Sequence, residues 1–335
     1  MKLFLFFILV LAFNQLNAQT IRLLTWWDYL APNVVERVQK SGFKLEISPY
    51  KSNEVAFAKL ISKSNEYDAA IVSGTILDSV SKIVEFEGVQ RINSSRKYLD
   101  FIPTANCVPY MWSVTLFSVK GSAKIYSLPD LLSLKNKGYS VAVIDDALEI
   151  AARSMLDGDC VHGNDSKKMS WDSSKKCMAD FGFLNGLSAA DLKTSTAEYL
   201  IKKNSAAYGW HGEITSLLDG GADSINVFLP ERSPVIGVDY LCAFKKSKID
   251  KRRLVEFIKL LTDRQSIKSN VEMTGYFSPY MNHKVKLHSK IKTVLNEIFA
   301  RKKYKPLLLN APPKEVHDSL NTRWQKVKYE EKSYQ

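Results

Sequence analysis

Short apolar runs alternating with amphipathic stretches set the pattern of this chain. Residues 21–24 are continuously apolar and predict a first strand. The helical spacing of apolar positions over 33–40, with Pro32 ahead of them, predicts the helix that follows. A second strand is expected at 44–50, and a helix from 53 to about 62, capped by Ser52 or Asn53. Residues 69–72 form a short apolar strand, and Ser73-Gly74-Thr75 turns into another helix. This rhythm predicts α/β architecture, a parallel sheet with helices on both faces. After a strand at 110–119, Gly121-Ser122 marks a change of region. A second rhythm follows: a strand at 138–144, helices at 147–156 and 194–203, a strand at 206–209 and a helix from 213. Further strands are expected at 224–229 and 238–244, and helices at 254–262 and from 265. Gly275-Tyr276-Phe277-Ser278-Pro279 breaks the last of these, and 313–329 predicts a final helix. A chain of 335 residues is long for one core and suits two lobes.

The N-terminus stands outside this pattern. Met1-Lys2, the apolar stretch 3–13 and Leu16-Asn17-Ala18 have the order of a secretory signal peptide, 1–18, with cleavage expected after Ala18. No Cys follows the cut, so a lipid anchor is not expected, and no second apolar run reaches transmembrane length. Export to the periplasm follows as an expectation. The formal charge of +12 concentrates late, in Lys245-Lys246, Lys248, Lys251-Arg252-Arg253 and Arg301-Lys302-Lys303. These clusters punctuate amphipathic helices and match no nucleic-acid motif, so they are read as solvated faces, with no nucleic acid as partner. Of four cysteines, Cys160 and Cys177 flank a polar excursion that a disulfide would staple. Cys107 and Cys242 lie in apolar surroundings and are expected to be buried thiols.

Candidate chemistry gathers where strands end. Thr25-Trp26-Trp27-Asp28-Tyr29 places two indoles, a phenol and a carboxylate between the first strand and its helix, the position where open α/β sheets bind ligands. Aromatic faces beside an acid suit an organic cation, although adjacent Trp residues also serve as core. Asp146 and Glu149 share one face of a helix's first turn, where they also complement the helix dipole. Trp210-His211-Gly212 repeats the aromatic at a strand-to-helix junction, and Asp239 is an acid within an apolar strand that needs a partner or water. The five histidines form no metal-ligand spacing and no G-x-S-x-G elbow is present. An enzyme is not expected, nor a metal or cofactor.

Together, Trp26-Trp27-Asp28-Tyr29, Ser52-Asn53-Glu54, Tyr67-Asp68, Asp145-Asp146-Ala147-Leu148-Glu149, Trp210-His211-Gly212 and Thr274-Gly275-Tyr276 resemble the periplasmic spermidine/putrescine-binding proteins, the solute receptors of polyamine ABC importers. The resemblance implies the two-lobed type II periplasmic-binding-protein fold with a ligand cleft between lobes. One lobe would comprise residues 19–120 plus 240–284, the other 121–239 plus 285–335. It also implies a ligand site of aromatics Trp26, Tyr29, Trp210 and Tyr276 and acids Asp146, Glu149 and Asp239. Asp28 would be adjacent, Ser73 a polar cleft position, and Asn310 would stand where a C-terminal Gln contributes. The implied function is to deliver a small-molecule polyamine, spermidine or putrescine, to a membrane permease, as a monomer. Gly237 and Thr75 replace positions where such receptors carry flat side chains, which motivates an alternative: the same fold retuned to another small ligand or to a sensing role.

Overall fold

The computed structural model describes residues 19–89, 97–103, 106–163, 169–171, 184–281, 283–301 and 304–329. The expected signal peptide and Cys177 lie outside the described residues. Along the chain run β1 (Gln19–Trp26), α1 (Pro32–Lys40), β2 (Phe43–Tyr50), α2 (Asn53–Lys63), β3 (Ala69–Ser73), α3 (Gly74–Val80) and β4 (Val108–Lys120). Next come α4 (Leu128–Asn136), β5 (Ser140–Ile144), α5 (Ala147–Asp157), the hairpin β6 (Val161–Gly163) and β7 (Met169–Trp171), and β8 (Leu192–Lys193). The remainder is β9 (Ser205–Trp210), α6 (His211–Asp219), β10 (Ile225–Phe228), β11 (Val235–Ala243), α7 (Lys251–Thr262), α8 (Arg264–Thr274), α9 (Ser289–Ala300), β12 (Leu307–Leu308) and α10 (Lys314–Tyr329).

The chain divides into two compact units. One runs to Met111 and takes up Asp239–Met273 and Ser278–Val285; the other holds Trp112–Val238, Thr274–Phe277 and the chain from Lys286 onward. In the first, β1 lies parallel to both β2 and β3, while β11 runs antiparallel to β3 with Asp239 opposite Ser73. The strands of the first hundred residues are parallel as their rhythm predicts, and β11 from later in the chain makes the sheet mixed. Every residue of β3 is buried, as its unbroken apolar run requires of a strand covered on both faces. Asp68, directly before β3, is buried and clamps the strand start. Its carboxylate accepts from the Arg22 backbone N–H (2.9 Å), the Arg22 guanidinium (2.9 and 3.0 Å) and Ser247 Oγ (2.7 Å). Burial alone would raise its pKa, but these bonds hold it below the usual range.

In the second unit, β4 is antiparallel to β10 and β9, and β5 is parallel to β9 and β8. Its core joins Phe117, Val141, Val143, Ile150, Tyr208 and Trp324. The first unit ends at Met111 and not near residue 120 because the second half of β4 pairs with β9, from Thr115↔Trp210 to Lys120↔Ser205. Likewise 274–277 joins the second unit, where Trp112 and Phe277 exchange two main-chain bonds of 3.0 Å.

Three sequence expectations need correction. Cys107 and Cys242 are not thiols but a disulfide, buried in the first unit and closing a sequence separation of 135. Apolar surroundings made each look like a simple core residue, and only the tertiary fold brings two such distant positions together. Cys160 is not a free thiol either, but its expected bridge to Cys177 lies outside the described residues. Residues 194–203 form a short 3₁₀ turn (Ala197–Ile201) in place of an α-helix. There the Thr196 N–H and hydroxyl are drawn to Glu213 at 2.9 and 3.2 Å, and the side chain packs so close to Gly209 that a Cβ on that glycine would lie 2.2 Å from Thr196 Oγ1. Helix α9 was not expected, although Ile291, Val294 and Ile298 carry a helical apolar stripe.

Candidate functional site

Each unit carries a cluster of acids and aromatics at strand ends. In the first, β1 ends at Trp26 and the chain turns through Asp28, whose φ of +49° is a left-handed conformation that Asp tolerates. That turn leaves Trp27 and Asp28 exposed and sends Tyr29 inward. The Tyr29 hydroxyl donates to Asp239 Oδ2, and the Trp26 indole beside the same carboxylate favours its charged form. Burial pushes the Asp239 pKa up to about 6, against the opposing pull of Tyr29 and Trp26. Opposite Asp239 in the ladder, Ser73 caps α3: its Oγ accepts the Thr75 N–H at 3.3 Å and lies 2.9 Å from Thr75 Oγ1. The structure thus gathers Trp26, Tyr29, Ser73 and Asp239, and leaves Asp28 at the surface.

Tyr50 belongs to this cluster and was missed. Its ring lies 4.5 Å from that of Trp26, and its hydroxyl donates to the Ile71 carbonyl at 2.7 Å. A signal was present, since β1 and β2 are parallel and both end in an aromatic, Trp26↔Tyr50. Behind Tyr29 stands Tyr110, 6.0 Å between ring centres. Buried Asn270 donates to the Tyr110 hydroxyl (2.6 Å) and accepts from the Ala31 N–H (2.8 Å), which fixes the chain just beyond Tyr29.

In the second unit, the apolar run of β5 stops at Asp145-Asp146 and α5 begins. Asp146 is its N-cap, with Oδ1 accepting the backbone N–H of Leu148 (3.0 Å) and Glu149 (3.1 Å). One oxygen of Asp146 is therefore committed to the helix, so the capping reading holds for that atom. Glu149 is buried. Its Oε1 accepts from the Trp210 indole and its Oε2 from the Thr115 hydroxyl, both at 3.4 Å, while the Tyr208 hydroxyl donates to Thr115 at 2.7 Å. Burial first, and the neighbouring Asp146 second, push the Glu149 pKa up to about 8. Thr115 and Tyr208 are buried hydroxyls within strands β4 and β9, and they too were missed.

Tyr276 packs against the first turn of α6, immediately after Trp210. Gly212 permits the approach: a Cβ there would come within 2.9 Å of the Tyr276 ring and of the Thr274 carbonyl. His211 is fully buried, stacked on Phe277 at 3.8 Å and edge-on to Tyr276 at 5.5 Å. Its Nδ1 accepts the Val114 N–H (3.2 Å), which leaves the ring proton on Nε2. Burial lowers its pKa to about 3, so the ring is neutral and structural. Asn310 ties down the β6–β7 hairpin, accepting the Met169 N–H at 2.9 Å. Gly237 has no room to spare, because a Cβ would sit 3.1 Å from Ser113 Oγ.

The chemistry of the two clusters is alike. The groups hydrogen-bonded to Asp239 and Glu149 among the described residues are the Tyr29 and Thr115 hydroxyls and the Trp210 indole. A half-buried or buried carboxylate with neutral donors is stabilised by an arriving cation, and the adjoining rings offer π-faces and apolar cover.

No family model matches the chain. The spermidine/putrescine-binding periplasmic protein of Escherichia coli is 26% identical over 282 residues, covering 78% of this chain and 77% of that protein. Among solved structures, a lipoprotein of Treponema pallidum (Tp0655, TpPotD) superposes with a TM-score of 0.69 at 16% identity, covering 93% of this chain and all of the other. A periplasmic thiamin binding protein superposes with a TM-score of 0.65 at 14% identity, over 92% and 96%. These relatives bear out the resemblance read from the sequence. The fold is that of type II periplasmic binding proteins, and the relatives include periplasmic binding proteins named for spermidine/putrescine and for thiamin. Among the described residues no helix is long and apolar enough to cross a membrane.

Proposed function

We propose that this chain, a relative of the spermidine/putrescine-binding periplasmic proteins, is an exported receptor that binds a polyamine and presents it to the permease of an ABC importer. The observation that carries the reading is the repeated cluster: half-buried Asp239 bonded by Tyr29 beside Trp26, and buried Glu149 bonded by Trp210 and Thr115, each a carboxylate with neutral donors and aromatic neighbours. A diamine or triamine carries ammonium groups, each of which a carboxylate would pair, and methylenes that aromatic faces would cover. Tyr276 would cover methylenes, and Ser73 would offer a hydroxyl. Export and a monomeric state belong to the same proposal.

The test is titration calorimetry of the mature protein against putrescine, spermidine, neutral amino acids and anions, with mass spectrometry of the small molecules that copurify. Saturable binding confined to the polyamines supports the reading; binding of an uncharged or anionic ligand alone refutes it. A second reading, the same fold serving another ligand or a sensing role, is favoured by Gly237 and Thr75. Neither supplies a flat surface, and the Thr75 hydroxyl is engaged with Ser73.

A further inference from the structure

Glu149 does not stand alone in its cluster: a chain of hydroxyls leads to it from the sheet. Tyr208 lies on β9 and Thr115 on β4, both fully buried, and these strands pair with Thr115 opposite Trp210. The Tyr208 hydroxyl donates to Thr115 Oγ1 at 2.7 Å, so the single Thr115 proton is directed onward to Glu149 Oε2. The Trp210 indole, which can only donate, reaches Oε1. Both carboxylate oxygens are therefore met by donors. Burial raises the Tyr208 pKa, so the phenol stays protonated and the direction of the chain does not reverse.

We propose that Tyr208 and Thr115 form a donor relay that positions Glu149 as a double acceptor, and so set how firmly this cluster holds a ligand cation. The inference rests on the cation-binding reading above. Donation to a carboxylate favours its charged form, and hydrogen bonds in series polarise one another, so the relay opposes the burial and the Asp146 charge that favour protonation. Other charged groups near α5 have partners of their own. Arg153 binds Asp157 (2.8 Å) and the Ser233 carbonyl (2.9 Å), Asp157 also accepts the Leu128 N–H from α4 (2.8 Å), and Asp145 binds Lys328 of α10 (2.7 Å). Thr115 and Tyr208 are positioning residues; neither is assigned a ligand contact.

The experiment follows the Glu149 carboxyl carbon by NMR across pH in the ligand-free mature chain, alongside calorimetry with spermidine at pH 7. Thr115→Val removes the donor and should move the Glu149 titration upward and weaken spermidine about tenfold for each unit of that rise. The loss should shrink at a pH above both titrations. Tyr208→Phe should shift both readouts in the same direction by less. Thr115→Ser keeps the hydroxyl and should keep the Glu149 titration near that of the wild type, which a packing role for the Thr methyl would not predict. Should Thr115→Val fail to fold, the near-isosteric Tyr208→Phe carries the test. An unmoved Glu149 titration in Tyr208→Phe, with circular dichroism unchanged, overturns the relay. If the wild type binds no polyamine, the receptor reading falls, yet the titration still decides the relay.

Discussion

Asp239→Asn separates ligand binding from folding, because the two should move in opposite directions. In the ligand-free protein Asp239 is half-buried, held by the Tyr29 hydroxyl, and its pKa lies at about 6 against 3.8 for the free side chain. That difference means that an ionised Asp239 opposes folding by about 3 kcal/mol above pH 6. The sign follows from the raised folded-state value. The folded protein holds the proton more tightly, so this group's contribution is most favourable below pH 4 and is lost as pH rises through 6. Asparagine keeps the shape and an acceptor for Tyr29 but carries no charge, so the ligand-free variant should melt at the same temperature or higher at pH 7. Binding should behave oppositely. A ligand ammonium that meets Asn in place of the carboxylate is desolvated without its counter-ion, at a cost of about 2–5 kcal/mol. Calorimetry with putrescine and spermidine, paired with melts with and without ligand, reads both. Unchanged affinity for both amines in a folded Asp239→Asn protein would refute the reasoning and leave the retuned receptor ahead.

Glu149→Gln should flatten the stability of the ligand-free protein between about pH 5 and 8. The wild type, whose Glu149 pKa is raised to about 8, should lose stability as pH rises through that window; melts at several pH values check it. Gly212→Ala places a methyl 2.9 Å from both the Tyr276 ring and the Thr274 carbonyl, so it should destabilise by about 1–3 kcal/mol and weaken the ligand, measured by denaturant melts and calorimetry. Breaking Cys107–Cys242 by a double Ala substitution should cost up to about 5 kcal/mol by the chain-entropy argument for a separation of 135, and peptide mapping without reduction should recover these two cysteines cross-linked. Asp146→Asn should leave the α5 cap nearly intact, since Asn caps about as well as Asp, and calorimetry should show a smaller loss for putrescine than for spermidine.

Where local periodicity decides, the sequence by itself determined the result. The run from β1 to α3, the Ser52 cap on α2, the Asp146 start of α5 and the final α10 each follow from apolar spacing and a capping side chain within a few residues. The aromatics and acids of both clusters were legible for the same reason: they stand at strand ends, and a strand end shows in the sequence as the place where an apolar run stops. Everything that required two distant segments to meet was decided by tertiary structure. Cys107 found Cys242, and Tyr29 became the partner that the strand acid Asp239 needed. Tyr50 came against Trp26, and Tyr208 and Thr115 lined up behind Glu149. Residues 194–203 carry a helical pattern, yet Glu213 and the absence of a side chain at Gly209 drew Thr196 inward and left only a 3₁₀ turn. The physical reason is common to all of these. Hydrogen bonds, disulfides and ring contacts act over a few ångströms in space, and spacing along a chain specifies that closeness only within one helix, strand or turn.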